Sequence, residues 1–159
     1  MVLLSEEWLI DGYNLLHDLI QKNKKSKISR ENLFGLLASF AATGNHKILM
    51  VLDGRGNDEE LEAYKTKFFH AVYSQSVSAD AYIERCLCEK QGQSQLKVVT
   101  KDRALSDIAR GFGAIVVEPR DFMERVYKKR QESGDALFKS KVAAHGFHRP
   151  FKDKLKDNP

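Results

Sequence analysis

The chain has 159 residues, 42% of them hydrophobic and 30% charged, a composition typical of a globular protein with one sizeable core. No apolar run approaches the about 20 residues that span a bilayer, and Glu6 and Glu7 make the start unlike a secretory signal. We therefore expect a cytoplasmic protein that does not engage a membrane. Its two cysteines, Cys86 and Cys88, lie two residues apart in a predicted helix, which argues against a disulfide or a zinc site.

The net charge of +4 is unevenly distributed. From Lys128 onward nine lysines and arginines face four acids, which leaves residues 1–127 with a net charge of about −1. Basic segments beside an acidic pocket suit a polyanion such as a nucleic acid, although lysine-rich loops are also commonly just solvated. A second basic run contains Lys22, Lys24, Lys25, Lys27 and Arg30.

Short β-like runs alternate with amphipathic helical stretches, which predicts βαβ units around a mainly parallel sheet. About five strands are expected, and the third alternates poorly. The predicted strands are 8–11, 47–53, 67–73, 96–100 and 114–117.

Capping residues predict where the helices lie. Asn14 is expected to cap a helix that runs to about Lys22, and Ser29 a helix that stops near Gly44. Ser78 is expected to cap the helix 79–90. Further helices are predicted over 102–110 and, after Pro119, over 120–130, whereas 54–60 is a loop by composition and 111–113 a turn.

The predicted elements define the domain organisation. Residues 1–132 are expected to form a single α/β domain, and 133–159 a basic extension that carries aromatic residues. Within this extension, 137–144 could form a short helix.

Four aspartates are predicted to lie at one edge of the sheet. Asp11 and Asp53 end strands and precede glycine, while Asp80 and Asp102 open helices. The carboxyl ends of parallel strands meet where ligands bind. Two carboxylates about 4 Å apart repel by about 4 kcal/mol at an effective dielectric near 20, and Mg²⁺ or Mn²⁺ relieves that repulsion. Turns and helix caps use the same residue types, but four such aspartates at one edge favour a metal site.

Polar residues surround these acids. Asn14 could orient Asp11, bind a phosphate or cap its helix. Helix N-termini attract phosphate, and four further residues are predicted to lie at such positions. They are Ser78, Thr100, Lys101 and Arg103.

Residues 10–14, 51–53, 78–85 and 98–103 resemble, in order, the motifs of NYN domains of the YacP-like branch, which are relatives of PIN-domain nucleases. The similarity covers roughly residues 7–127. It implies a PIN-like three-layer α/β/α fold and Mg²⁺- or Mn²⁺-dependent endoribonuclease activity. For the YacP-like branch it further implies cleavage of mRNA in association with the ribosome.

The same resemblance implies roles for individual residues. Asp11, Asp80 and Asp102 correspond to the metal-binding carboxylates, and Asp53 to an additional catalytic acid. Ser78 and Ala81 stand where Thr and Ser are common in the family, and Lys101 where Ser is common.

The expected reaction is metal-assisted hydrolysis of a phosphodiester. Asp53 is expected to hold a second ion through water or to orient the nucleophile, and Arg103, Lys101 and Arg85 to bind neighbouring phosphates. Tyr13 or Tyr82 would stack a base of single-stranded RNA, although core packing is the alternative for both. The basic run 22–30 and the extension would follow the RNA backbone.

Two other classes of protein compete with this interpretation. A phosphoacceptor receiver domain would use Asp11, Asp53 and Thr100 in a similar order, but it would leave Asp80 and Asp102 without a role. A non-catalytic RNA- or ribosome-binding module is the stronger alternative. The retained acids argue against it, because a surface that binds a polyanion gains nothing from negative charge. The sequence predicts no oligomeric state.

Overall fold

The computed structural model describes residues 6–22, 28–92 and 95–145, except for the side chains of Lys22 and of 135–145. Strands and helices alternate along this part of the chain, which confirms the α/β class. The strands are β1 Glu7–Asp11, β2 Lys47–Leu52, β3 Phe69–Tyr73, β4 Leu96–Val99 and β5 Ile115–Val117. The helices are α1 Gly12–Lys22, α2 Arg30–Gly44, α3 Asp58–Glu62, α4 Ala79–Lys90, α5 Arg103–Gly111 and α6 Pro119–His145.

The five described strands form one sheet in the order β3-β2-β1-β4-β5, and every pairing is parallel. Glu7 of β1 lies opposite Lys47 of β2 on one side and Leu96 of β4 on the other. Strands β2 and β3 therefore lie on one side of β1, and β4 and β5 lie on the other side. Such a reversal between β1 and β4 is the switch point at which doubly wound proteins bind their ligands.

Helices cover both faces of the sheet and give the three layers that were expected. Trp8 and Ile10 of β1 pack in one buried cluster with Leu15 of α1 and Phe34 of α2. Leu9 points the other way, as alternation along a strand requires, and it packs in a second cluster with α4 and α5. Because β1 is buried on both faces, its three middle residues, Trp8, Leu9 and Ile10, are all apolar.

Two helix starts differ from the predictions because local hydrogen bonds decide them. Helix α1 begins at Gly12, not at Asn14, and the Asn14 amide donates to the Asp11 carboxylate at 3.4 Å. Asp102 is the cap of α5 and accepts from the Leu105 amide at 2.9 Å, so that helix begins one residue later than expected. Helix α2 ends at Gly44 as expected, and the left-handed residue that follows it is Asn45, with φ 53°.

The predicted loop 54–60 contains part of a helix. Asn57 caps α3 by accepting a hydrogen bond from the Glu59 amide at 2.9 Å. The acids in the first turn of α3 interact favourably with the positive end of the helix dipole. Strand β3 begins at Phe69, two residues later than expected. The caps Ser29 and Ser78 are confirmed.

Helix α6 extends to His145 and therefore passes the predicted end at residue 130, so the short helix expected over 137–144 is part of it. The chain divides into two compact units, residues 1–126 and 127–159. The expected boundary at residue 132 stays a prediction. None of the described helices is long and apolar enough to cross a membrane.

Candidate active site

The switch point between β1 and β4 carries the candidate site. Asp11 is the last residue of β1, while Thr100 and Asp102 directly follow β4. Since β1 and β4 are adjacent and parallel, these residues share the carboxyl edge of the sheet. Asp11 and Thr100 are 89 positions apart in the sequence, and the pairing of β1 with β4 brings them within hydrogen-bond distance.

Asp11 is the most buried of the four aspartates, with 3% of its surface exposed. Its Oδ2 accepts from Asn14 Nδ2 at 2.8 Å and from Thr100 Oγ1 at 3.4 Å. Burial raises the pKa of Asp11 above the ordinary aspartate value. The hydrogen bonds from the Asn14 backbone amide and from the Thr100 hydroxyl oppose that rise, whereas the negative charges of Asp80 and Asp102 add to it. A charged Asp11 is therefore oriented by its partners but costs free energy without a nearby cation.

Asp80 lies in the first turn of α4 and is exposed. Partial burial raises its pKa, and the charges of Asp102 and Asp53 raise it further. The effects on Asp11 and Asp80 link all four predicted aspartates through their charges. The four aspartates thus lie near enough to one another at this edge of the sheet for their charges to interact.

Asp53 and Asp102 each use one carboxylate oxygen to hold a helix start. Asp53 Oδ1 accepts from the Ala79 amide at 2.8 Å and so ties the end of β2 to the first turn of α4. This bond fixes the backbone beside Asp80. Asp102 Oδ1 caps α5, as the alternative interpretation of that residue expected.

A half-buried ion pair beside the site was missed by the sequence analysis. Lys101 Nζ lies 2.7 Å from Asp18 Oδ1, and the Lys101 amide donates to Asn14 Oδ1 at 2.9 Å. Asp18 is only 3% exposed, and the side chain of Lys101 is 50% exposed. The ammonium that was predicted to bind phosphate is thus paired with Asp18. The signal in the sequence was an acid between the buried Leu15 and Leu19, four residues after Asn14 and on the same helix face.

The other predicted substrate-binding residues differ in their exposure and contacts. Tyr13 is 65% exposed and stacks on His17 with ring centroids 5.8 Å apart, so core packing was the wrong alternative for it. Tyr82, by contrast, packs against the second core cluster. Arg85 and Arg103 are exposed, and Ser78 Oγ accepts from the Ala81 amide at 3.1 Å.

The basic run 22–30 is only partly described. Arg30 Nη1 donates to the Tyr73 hydroxyl at 3.0 Å, and its guanidinium lies 5.8 Å from the centroid of the Phe34 ring. This arginine is therefore engaged with the fold. The side chain of Lys22 and the whole of Lys24, Lys25 and Lys27 lie outside the described residues.

The donor atoms at the site are all oxygen: carboxylates, an amide and a hydroxyl. Hard divalent ions such as Mg²⁺ and Mn²⁺ prefer this set, and Mg²⁺ keeps several waters while taking one or two carboxylates. Within the described residues, no group of three or more His, Cys, Asp or Glu side chains is arranged so that it could hold a metal ion. The residues fit a divalent ion by the chemistry of their donors.

A doubly wound parallel sheet with acids at its switch point matches the class of PIN-like nucleases. The family model of the YacP-like NYN domain matches residues 8–158, and the chain belongs to this family, which is a PIN-like nuclease family. The match includes most of the basic extension. Family membership also leaves the receiver-domain alternative without support.

Two crystal structures of Rae1 (YacP) from Bacillus subtilis have the same fold. One, of a single-site mutant, has a TM-score of 0.68 at 18% identity and covers 89% of this chain and 86% of that chain. The other has a TM-score of 0.62 at 23% identity and covers 94% of this chain and 90% of that chain. No match was found among curated proteins. At these identities the two structures support the fold alone.

Proposed function

We propose that this protein is a divalent-metal-dependent endoribonuclease that cleaves single-stranded RNA. The observation that carries the proposal is Asp11 at the switch point. It is buried, held by Asn14 and Thr100, and its pKa is raised by burial and by the charges of Asp80 and Asp102. A cation at this point would offset that unfavourable charge. Family membership supports the same chemistry.

The four carboxylates have two tasks between them in the proposed site. Asp11, Asp80 and Asp102 hold the ion. A bound Mg²⁺ or Mn²⁺ supplies a water of lowered pKa and neutralises charge at the phosphate. Asp53 acts as a positioning residue, because its bond to the Ala79 amide fixes the helix turn that carries Asp80. Orientation of an attacking water is a second task that its position allows.

The substrate is proposed to be single-stranded because an exposed aromatic surface adjoins the acids. Tyr13 lies two residues after Asp11 and stacks on His17, which offers a platform for an unpaired base. Arg85 and Arg103, both exposed, would bind neighbouring phosphates.

We further propose that the RNA is mRNA on the ribosome, in the cytoplasm. The proposal of mRNA on the ribosome is supported by family membership and by the charge of the extension, in which nine lysines and arginines from Lys128 onward face four acids. Such a surplus suits the phosphates of ribosomal RNA. Cleavage of the same mRNA with and without added ribosomes tests it, and an equal rate in both would contradict it.

The nuclease proposal is tested by incubating labelled single-stranded RNA with Mg²⁺, Mn²⁺ or EDTA. The wild type should cleave only with metal, and Asp80→Asn should lower the rate by about 100-fold or more, because a ligand of the ion that stabilises charge at the reacting phosphate is lost. Asp121→Asn is the matched control, since Asp121 is an exposed acid in the first turn of α6. It should cleave like the wild type.

Two results would count against the proposal. Identical products from the wild type and Asp80→Asn would assign the cleavage to a contaminant. RNA binding without cleavage under every metal condition would instead favour the non-catalytic binding module.

A further inference from the structure

A second pocket lies at the opposite end of the sheet from the aspartates. It is lined by the first residues of β1, β2 and β3, by the loop before β3 and by Lys90, the last residue of α4, and its volume is about 310 Å³. We call it the amino-end pocket. Its size is at the lower end of the range for small-ligand sites.

The lining of the amino-end pocket is strongly basic. It contains four lysines against one acid, Glu7, for a net charge of +3 with His70 neutral. Leu49 is half-buried and supplies an apolar surface within it. The four lysines are Lys47, Lys65, Lys67 and Lys90.

Two of these lysines have carboxylate partners. Lys90 Nζ lies 2.7 Å from Glu7 Oε2, and Lys65 Nζ lies 3.9 Å from a Glu62 oxygen. For Lys47 and Lys67, no ion pair is found within the part of the chain that the structure describes. Two ammonium groups of the pocket are therefore available to an external anion.

The loop that presents Lys65 and Lys67 is held by hydrogen bonds. Thr66 Oγ1 accepts from the Phe68 amide at 3.1 Å and from the Phe69 amide at 3.0 Å, and the Thr66 amide donates to the Phe69 carbonyl at 2.9 Å. Lys67 Nζ lies 5.4 Å from the Phe68 ring centroid. A loop fixed before binding loses less entropy when a ligand arrives.

Helix α4 connects this pocket to the aspartates. Its first turn carries Asp80 and its last residue is Lys90, so the two are about 15 Å apart along the helix axis at 1.5 Å per residue. A strand whose scissile phosphate sits at Asp80 can thus reach the pocket within a few nucleotides.

We infer that the amino-end pocket binds a nucleotide of the RNA strand, with its phosphate on Lys47 and Lys67 and its base against Leu49. The inference rests on the proposed function for the class of substrate. The pocket holds the strand at a point remote from the bond that is cut, and so contributes affinity without taking part in the reaction.

The test measures binding of a labelled RNA of about 20 nucleotides, longer than a typical single-strand binding site, by anisotropy in EDTA over a range of salt. The double variant Lys47→Ala/Lys67→Ala should bind more weakly. The slope of log affinity against log salt should fall by about 0.7, since one phosphate neutralised on a single strand contributes about 0.7. Arg110→Ala/Arg120→Ala removes two charges outside the pocket, each from an exposed pair, and is the matched control. It should retain the wild-type slope.

Two readouts would overturn the inference. One is a salt slope for the lysine variant that equals that of the control. The other is an RNA titration, followed by amide NMR, in which resonances of 65–70 do not shift. Equal melting temperatures of the variants serve as the folding control.

The outcomes separate this inference from the nuclease proposal. If the wild type cleaves RNA with metal but the lysine variant binds normally, only the pocket inference fails. If the lysine variant binds weakly but no protein cleaves RNA, only the nuclease proposal fails. Asp80→Asn should keep the wild-type salt slope, because the pocket is intact in it.

Discussion

Neutralising Asp80 should stabilise the metal-free protein, contrary to the usual effect of removing an acid from the first turn of a helix. The pKa of Asp80 is raised by partial burial and by the charges of Asp102 and Asp53. A carboxyl whose pKa is higher in the folded state than in the unfolded state lowers the free energy of unfolding once it is charged. At neutral pH, Asp80→Asn removes that charge.

The magnitude is small because Asp80 is exposed. After allowance for solvent screening, the gain in the free energy of unfolding is below about 1 kcal/mol. For a chain of this length, 1 kcal/mol corresponds to about 2–4 °C, so the melting temperature should rise by about 1–4 °C. Asp121→Asn instead loses a favourable helix-dipole interaction of about 0.3–1 kcal/mol, and its melting temperature should fall.

The same two variants should respond differently to metal. At a concentration about 100 times the dissociation constant, Mg²⁺ stabilises the wild type by about 2.7 kcal/mol, which is a rise of about 5–10 °C. Asp121→Asn should keep this rise and Asp80→Asn should lose most of it. Thermal unfolding at neutral pH, in EDTA and in a Mg²⁺ series, measures both effects. The reasoning is refuted if the variants shift in the same direction in EDTA, or if Asp80→Asn retains the full rise with Mg²⁺.

Three further outcomes are expected. Asp53→Ala leaves the Ala79 amide unpaired and should lower the free energy of unfolding, measured by urea denaturation, by about 1–3 kcal/mol. A loss below about 0.3 kcal/mol would show that this hydrogen bond is dispensable. Lys101→Met removes an ammonium from the buried Asp18 and should lower the free energy of unfolding by about 1–3 kcal/mol. Arg110→Met, in the exposed pair with Asp107, should lower it by less than about 0.5 kcal/mol. Equal losses in the two variants would contradict this difference. In EDTA, the free energy of unfolding should decrease as Asp11 becomes charged, that is, as pH rises from the ordinary aspartate pKa through the raised pKa of Asp11, and the decrease should be complete above that pKa. Asp11→Asn should flatten this part of the pH profile. An unchanged profile would refute the prediction.

Much of the sheet could be predicted because its strands are buried on both faces. The runs in β1, β2 and β4 are apolar enough to be recognised without their partners. The caps Ser29 and Ser78 could be predicted because each acts on a residue three positions away. Information of this kind is local and therefore present in the sequence.

The differences arise where a contact or a small preference decides the outcome. Helix α3 is five residues long and has a buried Leu61, which packs in the first core cluster and stabilises a segment that is loop-like by composition. Helix α6 continues through Gly134, because helix interiors tolerate a single glycine at a cost of about 1 kcal/mol.

The aspartates of the site could be predicted from topology, but their hydrogen bonds could not. The rule that parallel strands end at one edge was enough to group Asp11 with Asp102. The bond between Asp53 and the Ala79 amide, by contrast, joins residues 26 positions apart, and the pair of Asp18 and Lys101 joins residues 83 positions apart. Such pairings depend on three-dimensional placement, which no sequence spacing encodes.

The position of β1 has a consequence for how the chain is made. This strand is the middle of the sheet, yet the ribosome completes it long before β4, its second neighbour. A nascent chain that stops before residue 96 leaves one side of β1 with unpaired backbone groups and an apolar sequence. Such an open side is a template for association with other chains, and distant pairings slow folding. Prematurely terminated products of this protein should therefore aggregate, and a chaperone that shields β1 during synthesis would raise the yield of folded protein.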